Sequence, residues 1–222
     1  MSEEPRGSGG PRLLTFAAWT VLVLGLWLWG REITGVPVPP AGQAGGGGAA
    51  APGLPVAHTP LAAAPPARLD VPSLGIQAPV ITRGLDREGA IEPPPYENPG
   101  TVGWWSGGPQ PGKAGTALLV GHVDTRAKPA VFYGLSTVRR GDKVGVVRAD
   151  GSVAEFTVED VRVHERAGFD PQKAYGPKVP GRAELRLVTC GGTYDKTAKE
   201  YSANVVVSAY LTGVRTRPGT AV

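Results

Sequence analysis

Leu185-Arg186-Leu187-Val188-Thr189-Cys190-Gly191-Gly192 is an alternating apolar segment that runs into paired glycines, and it holds the only cysteine of the chain. Strand side chains alternate with period two, so Leu185, Leu187 and Thr189 share one face and Arg186, Val188 and Cys190 the other. With the leucines turned to a core, Cys190 is presented on the opposite, accessible face at the end of the strand. A cysteine used only for packing is expected mid-strand, among apolar neighbours on its own face.

Working outward, Lys143 to Arg148 and Val153 to His164 flank the turn Ala149-Asp150-Gly151-Ser152. Asp-Gly between alternating strands is the strongest short-range hairpin signal. Phe156, Val158, Val161 and Val163 are the apolar positions of the second arm, and their parity changes after Val158. If all four face the core, a bulge falls near Glu159-Asp160. Upstream, the apolar strand Gly115 to Val120 delivers Gly121-His122-Val123-Asp124-Thr125 into a loop. Arg68 to Pro72 and Ile76 to Ile81 read as strand pieces bridged by a Ser73-Leu74-Gly75 turn, and Gly89 to Glu92 as another before the Pro93-Pro94-Pro95 loop. In the strand Val102 to Trp105 the two tryptophans face opposite sides, either both packed or one lining a cleft. Phe169 to Tyr175 fits one helical turn with Asp170 as cap and Pro171 at the first position. After Cys190 come a polar connection, Thr193 to Glu200, and a last strand, Asn204 to Leu211. About eight short strands, little helix and no internal repeat argue for an all-β fold, a closed barrel with short helical turns.

The rest of the 222 residues is organised around that barrel. Leu13 to Gly30 carry no charge, enough to cross a hydrocarbon core of roughly 30 Å. The run is longer than a signal-peptide core and no small-x-small site follows it, which favours an uncleaved anchor. Arg6 and Arg12 precede it, so the N-terminus is expected in the cytoplasm and everything after Arg31 outside. The chain then divides into residues 1–12, a cytoplasmic N-terminus; 13–30, the transmembrane anchor; 31–66, a flexible Pro/Gly/Ala-rich linker; 67–213, the barrel; and 214–222, a disordered tail. The net charge of +4 suits a protein beside anionic lipid or wall polymer. Its basic residues lack the clustering and aromatic interleaving of a nucleic-acid surface. One cysteine excludes an internal disulfide and a multi-cysteine zinc site. Of the three histidines, His58 lies in the linker and His164 reads as a strand-surface residue, so neither a metal nor a cofactor is expected.

Cys190 and His122 each follow an apolar strand ending in a turn, which lets both project at one rim of a barrel. A thiol with a pKa near about 8.5 is mostly protonated at neutral pH. A neighbouring imidazolium stabilises the thiolate and later protonates an amine leaving group, so the pair suits acyl transfer through a thioester. The tetrahedral oxyanion then needs donors, from backbone N–H groups or a positive side chain.

TALLVGHVDT and LRLVTCGG, with the apolar N-terminal run and an all-β domain from about Leu69 to Leu211, resemble the sortases, cysteine transpeptidases of Gram-positive envelopes. Gly121-His122-Val123-Asp124, Cys190-Gly191-Gly192 and Asn204-Val205-Val206-Val207 are most similar to the class F sortases of actinobacteria. The resemblance implies an eight-stranded sortase barrel, Cys190 as nucleophile, His122 as acid/base and a substrate bearing a C-terminal sorting signal of the LPxTG kind. It also implies an amine acceptor from a cell-wall precursor or another protein. Sortases usually place an arginine at the start of the final strand, beside the cysteine; alignment puts Asn204 there, and asparagine donates a hydrogen bond without charge. Arg186 is the alternative by pattern, two strand repeats of roughly 6.6 Å from Cys190 on the same face. It is a candidate for substrate binding or oxyanion support, against a structural ion pair. Asp124 is a candidate to orient the imidazole or to cap its loop. Thr189, facing away from Cys190, is assigned packing or backbone support. The leading reading is a membrane-anchored cysteine transpeptidase. The alternatives are a cysteine protease, an L,D-transpeptidase, whose serine-x-glycine-cysteine signature is missing here, and a non-enzymatic anchored β-domain that binds wall polymer or a partner.

Overall fold

The computed structural model describes residues 53–87, 89–197 and 200–216. The expected anchor 13–30, the residues before it, the linker up to residue 52 and the tail beyond 216 lie outside them. Among the described residues no helix is long and apolar enough to cross a membrane.

Eight strands close into a barrel: β1 (Pro66–Val71), β2 (Ile76–Arg83), β3 (Val102–Trp105), β4 (Gly115–Val120), β5 (Lys143–Arg148), β6 (Ser152–Glu165), β7 (Ala183–Asp195) and β8 (Glu200–Thr216). They are hydrogen-bonded in the order β1-β2-β3-β4-β7-β8-β6-β5, and β5 returns to β1. Most neighbours are antiparallel, but β2 with β3 and β4 with β7 run parallel. The second of these pairings decides the site. Two parallel strands end at the same rim, so whatever follows β4 comes to stand beside the later part of β7.

The barrel interior is the inward half of each alternating strand: Leu69, Val71, Val102, Leu119, Val146, Phe156, Leu185, Leu187, Val207 and Leu211 are buried in one cluster. Burying each such aliphatic or aromatic side chain contributes roughly 1.5–3 kcal/mol. Trp104 joins this core, while Trp105 lies half-buried with its ring against Gly107 and Gly108. The Asp150-Gly151 turn joins β5 to β6 with Gly151 at φ 81°. The register of β6 against β8 shifts between Val158 and Asp160, a bulge at the expected place. Phe156 and Val158 point inward and Val161 packs on the core, but Val163 is exposed, so the fourth apolar position does not reach it. The turn α1 (Pro171–Tyr175) is capped by the Asp170 carboxylate, which accepts from the backbone N–H of Gln172 and Lys173.

Four expectations need correction. The linker does not stay loose to residue 66. His58 N–H donates to the Leu211 carbonyl, Leu61 N–H to Gly112, and the Tyr210 hydroxyl to Pro55. Leu61 packs on the core and Ala64 is buried, so these apolar residues find a surface that their lack of periodicity does not advertise. Residues 89–92 form only an isolated bridge between Leu85 and Ile91. The strand of Cys190 does not end at the glycines. β7 continues to Asp195 and pairs with β8, the register shifting between Gly191 and Tyr194. Gly192 sits at φ 78° there, a conformation that costs a residue with a Cβ. Finally, residues 214–216 belong to β8, paired with β6 through Ser152 and Thr216.

Candidate active site

The parallel register sets Val120 beside Val188, and the Gly121 N–H donates to the Val188 carbonyl at 3.1 Å. The paired ladder ends at Val120 and Val188, and His122 and Cys190 lie two residues beyond it on their respective chains, at the same rim of the barrel. The face of β7 opposite Cys190 carries the tie between them: Thr189 Oγ1 donates to the Gly121 carbonyl at 2.8 Å, holding the chain before His122 to the strand of Cys190. A glycine is needed at 121 because a Cβ there would stand 2.7 Å from Phe132 and Val131. Phe132 is fully buried, and its N–H donates back to the His122 carbonyl at 3.0 Å. The imidazole therefore leaves a rigid corner.

On its other side Cys190 is the direct cross-strand partner of Asn204 in β8. Directly opposed side chains share a face with Cβ atoms roughly 4.5–5.5 Å apart. Asn204 in turn pairs with His164 of β6. The strand row reads Cys190, Asn204, His164, with His122 in the loop that leaves β4 at the same rim. His164 is the far member, in edge contact with Phe169, and is separated from Cys190 by the whole of β8. Cys190 itself is exposed.

The next row on the same face is apolar: Val120, Val188 and Val206 form a small buried cluster covered by Ile91 and Tyr175. Ile91 comes from the β2–β3 connection and Tyr175 from α1 in the β6–β7 connection. Burial first, and the Cys190 charge second, push the Tyr175 phenol up to about 12. Tyr201, at the start of β8, donates its hydroxyl to Asp124. That bond first, then burial, then the charges of Asp124 and Cys190, push its phenol up to about 12 as well. Both phenols near the thiol thus keep their protons at neutral pH.

Arg186 is the largest departure from its sequence assignment. It shares the face of Cys190, but it is fully buried beneath the β6–β7 connection rather than open to a cleft. Its Nη2 donates to Glu184 at 2.7 Å and to the Gly176 carbonyl at 2.6 Å. Glu184, also fully buried, accepts from Lys178 N–H, Val179 N–H and Arg182 Nε besides. Burial alone would raise the Glu184 carboxyl. The bonds from Lys178, Arg186 and Val179 and the Arg186 charge overcome it and hold the group below its ordinary value. Arg186 is a structural ion-pair member that clamps the connection carrying Tyr175. Asp124 likewise spends its carboxylate on Tyr201 rather than on the imidazole.

The partners of His122 are ones that the sequence pattern does not reveal. Its ring is buried, its Nε2 lies 2.7 Å from the Pro94 carbonyl, and the Tyr96 ring stacks on it at 4.1 Å with an 18° angle between planes. Pro94 and Tyr96 sit in an aperiodic proline-rich loop. The only available signal was an aromatic residue within a stretch stiffened by prolines. Among the described residues no group of three or more metal-ligating side chains is present.

Fold and site together define an eight-stranded barrel protein with a thiol paired across strands with a carboxamide, and an imidazole in the loop that leaves the adjoining strand at the same rim. Residues 69–212 match the family described as Sortase domain, well over half of the chain, and the chain belongs to the sortase family. No curated protein matches it. Among solved structures it is similar to sortase C-1 from Streptococcus pneumoniae, with 20% identity and a TM-score of 0.50 over 65% of this chain and 65% of that one. Sortase C-3 from the same organism gives 19% and 0.52 over 70% and 67%. A lid mutant of sortase A from Corynebacterium diphtheriae gives 18% and 0.50 over 71% and 74%. At these identities the likeness concerns the fold. The chain spans just under two thirds of the sortase C-1 chain.

Proposed function

We propose that the protein is a membrane-anchored cysteine transpeptidase of class F type, its barrel on the outer side of the membrane of a Gram-positive cell. It cleaves a C-terminal sorting signal of the LPxTG kind on surface proteins. The observation that carries this reading is that His122, two residues past the parallel β4–β7 ladder, leaves β4 at the same rim as the cross-strand pair Cys190 and Asn204. The sorting signal reaches the exposed Cys190 beside the buried cluster of Val120, Val188 and Val206 that Ile91 and Tyr175 cover. The Cys190 thiolate attacks the threonine carbonyl. The side-chain amide of Asn204, opposite the sulfur, donates to the oxyanion in place of the usual arginine. Collapse expels the glycine amine, which takes a proton from His122, and leaves the acyl group on sulfur as a thioester. An amine of a cell-wall precursor or of another protein then attacks the thioester and regenerates the thiol. No cofactor takes part in this sequence.

The test is incubation of the full chain in detergent micelles with a panel of LPxTG-type peptides and several amines, with products identified by mass. Cleavage between threonine and glycine, with transfer to an amine and loss of both in Cys190→Ala, is the expected result. Absence of cleavage, together with thiol labelling no faster than in the denatured chain, would leave a non-enzymatic β-domain.

A further inference from the structure

We propose that the loop Pro93 to Tyr96 fixes the tautomer of His122, so that Nδ1 is the nitrogen that exchanges protons in the reaction and Tyr96 is a positioning residue for it. The inference rests on the function proposed above, but its central observation does not.

A backbone carbonyl only accepts, so the 2.7 Å contact with Pro94 requires a hydrogen on Nε2. In the neutral ring the lone pair then resides on Nδ1. The Pro94 carbonyl is not a chance neighbour. Pro94 is buried between the exposed Pro93 and Pro95, and it packs close to Gly103 of β3. The stretch after it is tied down at three points: Asn98 N–H to the Pro95 carbonyl, Thr101 N–H to Asn98, and Val131 N–H to the Pro99 carbonyl. The last of these joins the loop to the segment that follows His122. Tyr96 lies flat on the imidazole while 65% of its surface stays exposed, so one ring face orients the histidine and the other remains open to solvent.

The proton steps balance on Nδ1 alone. It takes the Cys190 thiol proton, giving thiolate and imidazolium, while the Nε2 hydrogen stays with Pro94. It then gives that proton to the departing glycine amine and returns to the neutral ring. In the second half Nδ1 removes the proton of the attacking amine and passes it to sulfur. The cation formed in each half lies against the face of the Tyr96 ring, an arrangement that aromatic quadrupoles favour. Without Tyr96 the ring is free to rotate, and either nitrogen can carry the hydrogen.

The experiment is a long-range proton–nitrogen spectrum of the full chain in micelles, labelled with 15N-histidine, with His58→Gln and His164→Gln used to assign the three rings. The expected native signal for His122 is one neutral tautomer with hydrogen on Nε2. Tyr96→Phe should retain it, and Tyr96→Ala should give averaged nitrogens. With the peptide cleaved in the test above, Tyr96→Ala should lower kcat on the order of tenfold with KM little changed, as for outer partners that orient functional imidazoles, and Tyr96→Phe should restore it. Hydrogen on Nδ1, or averaged nitrogens in the native chain, overturns the proposal whether or not peptides are cleaved. So does Tyr96→Ala with the native spectrum and kcat. A fixed Nε2–H tautomer in a chain that cleaves no peptide sustains the tautomer assignment and removes only the enzymatic reading.

Discussion

Replacing Glu184 by glutamine should cost more stability than replacing its partner Arg186 by methionine, although both changes break the same 2.7 Å ion pair. In Glu184→Gln the guanidinium stays buried and charged, because arginine does not lose its proton. It keeps only neutral acceptors, the Gly176 and Leu185 carbonyls and the glutamine amide oxygen, and its Nε already has no hydrogen-bond partner. Removing one member of a buried pair in this way costs about 3–5 kcal/mol. In Arg186→Met the carboxylate keeps two backbone N–H donors and Arg182, whose Nη2 lies 2.9 Å from it. The loss is then that of one charge-assisted hydrogen bond, about 1.5–3 kcal/mol, with the methionine filling most of the space. At about 2–4 °C per kcal/mol for a domain of this size, the glutamine variant should melt roughly 6–20 °C below the parent. Urea unfolding at unchanged m-value measures the difference. The pH dependence gives a second check. A carboxyl held below its ordinary value stabilises the fold at pH above its unfolded titration range, and that contribution fades as pH falls through the folded value. The gap between parent and Glu184→Gln should therefore narrow in acid. An Arg186→Met variant less stable than Glu184→Gln, or a gap that widens in acid, would refute the reasoning.

Two further changes probe how the row is held together. Thr189→Val removes the hydroxyl that bonds the Gly121 carbonyl and leaves that acceptor buried. A loss of about 1–3 kcal/mol in chemical denaturation is expected, with peptide cleavage reduced beyond what the unfolded fraction explains. Gly192→Ala forces a Cβ to within 2.3 Å of Ser202 Oγ at a φ of 78°. The strain should lower stability by about 1–3 kcal/mol and slow thiol labelling or cleavage at Cys190, two residues away; a neutral result would mean that the hairpin beyond Cys190 relaxes without affecting the site.

What the sequence determined by itself is what alternation and turn chemistry control locally. The strands around Cys190, the Asp150-Gly151 hairpin, the Asp170 cap and the bulge after Val158 all follow from nearest neighbours, because periods of two and capping side chains act within a few residues. Alternation also placed Arg186 on the face of Cys190. It could not show that the β6–β7 connection folds over that row and buries the guanidinium against Glu184. The parallel union of β4 with β7, the docking of residues 53–65 along the barrel, and the contacts of Pro94 and Tyr96 with His122 were decided only in three dimensions. Each joins segments distant in the chain through loops that carry no period, so the free energy that selects them comes from packing and hydrogen bonds formed after the strands have closed.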